Sequence, residues 1–236
     1  MDHNTIWNNH WSKYIIDNES YLQSDVEIKE YHTDLKNIID KYKDKNKVIE
    51  VGCGTGITSL LLDNHFEKTL LDINPDSIKL AKSIFNKYDK KADFLLCDMF
   101  TMDIEDECFD IVFNSGVIEH LNYEERVRAI KEYNRILKKD GIMIIAFPNH
   151  FNIFYRIGYL ILNLFKKWPY PEEYKLYDLK KEIHENNLIL ESRITTSKNI
   201  LTEYFGFNKI LKYLFCLVYK IFNLEAGYLT VLIIRK

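Results

Sequence analysis

The chain has 236 residues, 47% apolar and 28% charged, ordinary globular usage that excludes disordered and fibrous classes. At about 150 residues per domain, the length is one large domain or one domain with embellishments. Thirty-two basic against 35 acidic residues leave a net charge of −3, and only six residues are arginine, so the footprint of a nucleic-acid binder is missing. The four cysteines, at 53, 97, 108 and 216, form neither a metal-like spacing nor a secretory disulfide framework, and the first 25 residues carry acids but no leader pattern. A reduced, cytoplasmic setting is expected.

In chain order, residues 1–23 are polar and aromatic, with Trp7, Trp11 and Tyr14 among Asn and His. Apolar spacing predicts a helix from Ser24 to about Tyr42. Val48–Val51 is a short strand running into Gly52-Cys53-Gly54-Thr55-Gly56, and a helix follows from Ile57 to Asn64. Strand Thr69–Asp72 leads to Asn74-Pro75, which opens a helix to about Tyr88 because Pro suits a first helical turn. Strands are predicted at Ala92–Cys97 and Phe109–Phe113, then a helix over Tyr123–Lys138. Asp140-Gly141 is expected to turn into a buried strand, Ile142–Phe147. Strands alternating with helices at this spacing, several of them continuous apolar runs, mean a parallel sheet covered on both faces. After Pro148 the rhythm changes. Residues 151–165 are apolar but too short to span a bilayer. A polar helix Tyr174–Asn186, a strand Leu188–Ile194, an apolar helical stripe over 209–222 and a last strand Tyr228–Ile234 complete the chain.

Three of the eight glycines, at 52, 54 and 56, fall where the first strand turns into a helix. Glycine suits a turn in which φ is positive and a ligand approaches the backbone closely. Position 57 is Ile, so the register is not the dinucleotide G-x-G-x-x-G. Asp72 and Asp98 end the second and third strands, the edge at which open α/β sheets bind ligands. A carboxylate at the first position can accept ribose hydroxyls, and one at the second an adenine amine.

Glu50-Val-Gly-Cys-Gly-Thr-Gly56, Asp72, Asp98 and the run Phe109–Leu121 (FDIVFNSGVIEHL) together resemble the class I S-adenosylmethionine-dependent methyltransferases. The likeness is nearest to the small-molecule branch that includes ubiquinone- and menaquinone-type enzymes. It covers residues 30–150, and 175–236 as a topology. It implies an α/β, Rossmann-like, doubly wound sheet of seven mostly parallel strands with an antiparallel last strand. It also implies S-adenosylmethionine as cofactor, with S-adenosylhomocysteine as product. Carried over, Gly52, Cys53, Gly54 and Gly56 would cradle the methionine part and Glu50 its amino group. Asp72 would hold the ribose, Asp98 the adenine amine, with Ile73 and Met99 flanking the ring. The backbone of Asn114, Ser115 and Gly116 would close over the carboxypropyl end.

His120 and His150 follow neighbouring strands and are the candidates for general base, since imidazole titrates near neutral pH. Glu119 and Asn149 could orient an acceptor. No metal site is expected. The methyl acceptor would be an O, N or C atom of a small metabolite, lipid-like or glycan-type, and not nucleic acid. One domain over 1–236 is expected: a lid segment at 1–23, a cofactor-binding core at 24–150, and apolar inserts at 151–174 and 199–224 on the substrate side. The stretches 151–165 and 209–222 read first as buried core, with pocket wall, dimer surface or peripheral membrane contact as the alternatives, and the chain as monomer or homodimer. Two other functions fit the pattern: a nicotinamide-dependent oxidoreductase, and a non-catalytic cofactor-binding or interaction module.

Overall fold

The computed structural model describes residues 5, 7–12, 25–168, 170–197, 213, 217, 218, 221 and 227–236. The parallel strands form because short runs of branched apolar residues are buried on both faces of one sheet. Strand β1 (Lys47–Val51) lies between β2 (Glu67–Asp72) and β4 (Phe109–Ser115), parallel to both. Strand β3 (Asp93–Leu96) extends the sheet beyond β2, and β5 (Leu137–Pro148) lies beside β4. Strand β7 (Leu229–Arg235) is antiparallel to β5 and to the edge strand β6 (Ile189–Thr196), so the order is β3-β2-β1-β4-β5-β7-β6. The chain winds outward from β1 through β2 to β3, then returns to β4 on the other side. This reversal opens a crevice at the carboxyl ends of β1 and β4.

Alternation along β1 sends Val48 to one face, where Leu35, Ile38 and Ile39 of α1 (Glu30–Ile39) cover it. Ile49 and Val51 face the other side, packed with Ile130 and Tyr133 of α4 (Tyr123–Ile136). A third cluster joins α2 (Ile57–Leu61) and α3 (Pro75–Lys87) to Leu70 and Trp11. The long helices start on side-chain caps. Asn74 Oδ1 accepts from the N–H groups of Asp76 and Ser77, and Asn122 with Glu125 forms a reciprocal capping box.

Boundaries shift where distant partners override local pattern. Helix α1 starts at Glu30, not Ser24, because the Val26 N–H is taken by the Tyr88 hydroxyl. The expected turn at Asp140-Gly141 is part of β5, which already begins at Leu137; an irregularity in the pairing with β4 absorbs Lys138–Gly141 between the Leu137 and Ile142 registers. The expected helix Tyr174–Asn186 shrinks to α6 (Lys180–Glu185), since the Tyr174 N–H donates to Glu119 O. Residues 151–165 contain α5 (Ile153–Leu164). The stripe expected over 209–222 lies outside the described residues except at 213, 217, 218 and 221, as do Cys216 and Tyr14. Among the described residues no helix is long and apolar enough to cross a membrane.

Helices α4 and α6 are joined by a buried ion pair: Arg126 Nε donates to Glu182 Oε1 at 2.7 Å, and Arg126 Nη1 to Leu121 O at 2.8 Å. Removing one partner strands the other charge. Arg126→Ala is expected to lose about 3–5 kcal/mol in urea unfolding, whereas Arg126→Met combined with Glu182→Leu recovers most of it.

Candidate functional site

A cavity of about 230 Å³ occupies the crevice at the ends of β1, β2 and β4. One wall is the glycine turn. The N–H groups of Gly52 and Cys53 both donate to Leu71 O, at 2.8 and 2.9 Å, which folds the turn over the end of β2. Gly52 and Gly54 have φ of +71° and +53° and face the cavity. A Cβ on Gly52 would stand 2.6 Å from Val117 Cγ2, so the backbone of the turn and the loop after β4 approach as closely as only glycine permits. Gly56 shares the left-handed conformation but is off the wall; its missing Cβ would sit 2.3 Å from Leu70 Cδ2. In this position Gly56 lets α2 pack on β2.

Asp72 is buried at the end of β2 and lines the cavity. Its Oδ2 accepts from the Gly54 N–H at 2.8 Å and its Oδ1 from the Asn74 N–H at 2.9 Å. Burial raises its pKa against these bonds. Glu50 is wholly buried, with Oε2 accepting from Ser59 Oγ at 2.5 Å, and burial pushes it up to about 8. Ile73, Met99, Ser115 and Gly116 also line the cavity. Asp98 does not; it is half-buried between wall residues Cys97 and Met99, and its Oδ1 accepts from the Phe100 N–H. The Asn114 side chain turns into the core, where its Nδ2 donates to the Tyr133 hydroxyl at 3.1 Å. Cys53 is on the wall, and burial raises its thiol well above its ordinary value, which leaves no thiolate for chemistry.

The two histidines separate. His120 lines the cavity; its Nδ1–H donates to Glu172 O at 2.9 Å, and Trp7 meets the ring edge-on at 5.1 Å. His150 is buried away from the cavity. Arg156 Nη1 donates to its Nδ1 at 3.0 Å, and burial, then the Arg156 and Lys175 charges, lowers it to about 4. The expectation that both histidines face one pocket is corrected: α5 supplies the arginine that draws His150 off. Asn149 is a structural hinge, donating from Nδ2 to Gly227 O.

Two acidic residues complete the wall. Glu119 is 2% exposed, its Oε2 has no hydrogen-bond partner among the described residues, and burial followed by the Glu173 charge holds it well above the carboxylate range. Glu173 accepts from the Tyr155 hydroxyl at 2.6 Å. Glu173 and Tyr155 carry no local sequence signal, since α5 and residues 171–174 meet only through the fold. The wall carries no Lys or Arg among the described residues, and no group of three or more His, Cys, Asp or Glu there could hold a metal. Residues 7–12 are helical and cross the opening: Trp11 lies over Gly54, where a Cβ would be 3.1 Å from its ring, and Asn8 Oδ1 accepts from Asn74 Nδ2 at 2.6 Å.

Gly56→Ala combines left-handed strain with overpacking, and is expected to cost about 2–4 kcal/mol by denaturant unfolding. For Glu50 the folded value of about 8 lies above the unfolded 4.5, so the folded state holds the proton longer. Glu50 therefore removes stability progressively as pH rises from about 4.5 to about 8. Relative to Glu50→Gln, which does not titrate, the natural chain should match in melting temperature near pH 5 and fall on the order of 5 °C below it at pH 8. Parallel profiles would show that Glu50 ionises as if exposed.

Residues 49–145 match the family model described as a methyltransferase domain. The chain is 28% identical to the protein MJ1252 of Methanocaldococcus jannaschii, over 70% of this chain and 62% of that one. It is 27% identical to the ubiquinone biosynthesis O-methyltransferase of Pelagibacter ubique, over 80% and 76%. Across the first three curated relatives it spans 43–63% of their length. Among solved structures, the PH0226 protein from Pyrococcus horikoshii OT3 matches with a TM-score of 0.63 and 19% identity, covering 94% and 98% of the two chains. The magnesium protoporphyrin IX methyltransferase from Synechocystis PCC 6803, solved with S-adenosylhomocysteine, matches with 0.65 and 15%, covering both chains completely. With the seven-stranded order, the glycine turn at β1 and the acid at the end of β2, these likenesses agree: residues 49–145 match a methyltransferase domain, and the chain has the fold of the solved methyltransferase it resembles.

Proposed function

We propose that this protein transfers the methyl group of S-adenosylmethionine to a hydroxyl or amine on a small, apolar-bodied acceptor of the lipid-like class. The observation that carries the reading is the charge of the cavity: Glu50, Asp72, Glu119 and Glu173 are buried on its wall, and no Lys or Arg lines that wall among the described residues. Buried carboxylates call for cations or hydrogen-bond donors. A ligand bearing an ammonium, a sulfonium and ribose hydroxyls answers them, whereas the pyrophosphate of a nicotinamide dinucleotide would find acidic groups and no Lys or Arg on the wall among the described residues. This argues against the oxidoreductase alternative.

Glu50 would hold the ammonium, Asp72 the ribose hydroxyls, and the Gly52–Gly54 backbone with Ser115 and Gly116 the methionine part. Ile73 and Met99 would flank the adenine, with Asp98 reaching its amine from the rim. When bound, S-adenosylmethionine supplies a methyl group already activated by its sulfonium. The protein's remaining task is alignment, which can be worth about 7–11 kcal/mol, and removal of the acceptor's proton. Glu119 is the group proposed for that removal, since it is a carboxyl buried on the cavity wall whose Oε2 has no hydrogen-bond partner among the described residues. His120, with Nδ1–H fixed on Glu172 O, presents Nε2 as an acceptor and would orient the incoming group.

Calorimetry with S-adenosylmethionine, S-adenosylhomocysteine and NADH tests the reading. Both sulfur ligands are expected to bind, at least about tenfold more weakly to Asp72→Ala, and NADH not at all. Preference for NADH, or no binding of either sulfur ligand, overturns it. Glu119→Gln should keep S-adenosylhomocysteine affinity while transfer of labelled methyl into a lipid and metabolite extract falls about 100-fold or more.

A further inference from the structure

Helix α5 has two apolar faces, and among the described residues only one is used by the fold. Tyr155 and Tyr159 point inward and are buried, the first holding Glu173 and the second packed on Trp168. On the opposite side Ile153, Ile157, Leu160, Ile161 and Leu164, spaced four, three, one and three apart, form a single stripe. Their exposure runs from 45% at Ile157 to 79% at Leu164. Phe151 and Phe165, 54% and 66% exposed, extend the stripe at each end. Other exposed large apolar residues, such as Ile28, Leu96 and Ile189, stand far apart in sequence and need no explanation. A contiguous row of seven marks an interaction surface.

Charge selects the partner. From Phe151 through Tyr170 the chain contains Arg156, Lys166 and Lys167 and no acidic residue. A twofold contact between copies through this stripe would bring basic residues to the interface and no carboxylate from the helix to meet them. An anionic lipid surface meets both demands, taking the aliphatic stripe among its acyl chains and the lysines at its headgroups. At 1.5 Å per residue the 12 residues of α5 are about 18 Å long, short of the roughly 30 Å hydrocarbon core, so the helix would lie in the interface rather than cross it.

We propose that the outer face of α5 docks this protein peripherally on membranes containing anionic lipid, and so sets the cavity beside the bilayer. The aromatic chain Tyr159–Trp168–Tyr170 leads from the inner face of the same helix to the cavity wall, so the docking face and the acceptor end are two sides of one element. The inference stands on exposure and charge alone and does not depend on the methyl-transfer reading.

The test is co-flotation of the full chain with phosphatidylcholine vesicles and with vesicles containing about one third phosphatidylglycerol. Each is run at low salt and at about 0.5 M salt, where charge attraction is screened within a few ångströms. The natural chain should float with the anionic vesicles at low salt and lose most of that binding at high salt. Leu160→Asp/Ile161→Asp/Leu164→Asp should reduce partitioning at least about tenfold, with an unchanged circular dichroism spectrum and S-adenosylhomocysteine affinity as the check on folding. Lys166→Glu/Lys167→Glu, which leaves the apolar stripe intact, should abolish the preference for anionic lipid. Failure of the natural chain to float, or equal flotation of the triple variant, overturns the proposal. So does a natural chain that is dimeric in solution, ignores vesicles, and becomes monomeric in the triple variant, since the face then joins two copies.

Discussion

The crevice exists because one carboxylate ties two strand ends together. Asp72 takes the Gly54 N–H on one oxygen and the Asn74 N–H on the other. Asn74 caps α3 through Ser77, and the Ser77 hydroxyl returns to Gly54 O at 2.9 Å. The turn after β1, the end of β2 and the start of α3 therefore form one hydrogen-bonded ring. Left-handed glycines make the turn possible, but the ring holds it open in that shape. Asn8 joins through the Asn74 amide, so the N-terminal segment rests on the same ring.

The site is also where the fold works against itself. Folding places Glu50, Asp72, Glu119 and Glu173 around one small volume, and burial raises the pKa of all four. Raised carboxyl pKa values mean that ionising these groups in the folded state subtracts stability. A core built for stability alone would not gather four acids on a wall that carries no Lys or Arg among the described residues. A cationic ligand bound there would restore what they cost, and ligand binding and folding would then be linked through the same groups. Arg126–Glu182 shows the contrast, with opposite charges paired inside the helical layer and no cavity beside them.

What could be read from the sequence follows the range of the interactions. Strands β1, β2 and β4, the caps at Asn74 and Asn122, and the site groups Glu50, Gly52, Gly54 and Asp72 are local patterns: apolar runs, cap residues and strand-end acids. The antiparallel β7 was legible as topology. What was missed is held by distant partners. Tyr174 leaves the expected helix for Glu119, 55 positions earlier, and that departure brings Glu173 to the wall. His150 stands at a strand end as His120 does, but position at a strand end does not say which way the ring turns, and Arg156 decides it. Gly56 looked like its two neighbours because spacing does not distinguish a glycine beside a ligand from one beneath Leu70.

Helix α5 joins these strands of argument. A helix that served only the core would carry polar residues outward, and one that served only a membrane would not bury two tyrosines against the site. This helix buries Tyr155 against the site and leaves its aliphatic side exposed, and each face constrains the other: Tyr155 must stay on Glu173, so the rotation of the helix is set, and with it the direction in which Ile157, Leu160 and Leu164 face. The apolar stripe is therefore held at a fixed orientation to the acceptor end of the cavity.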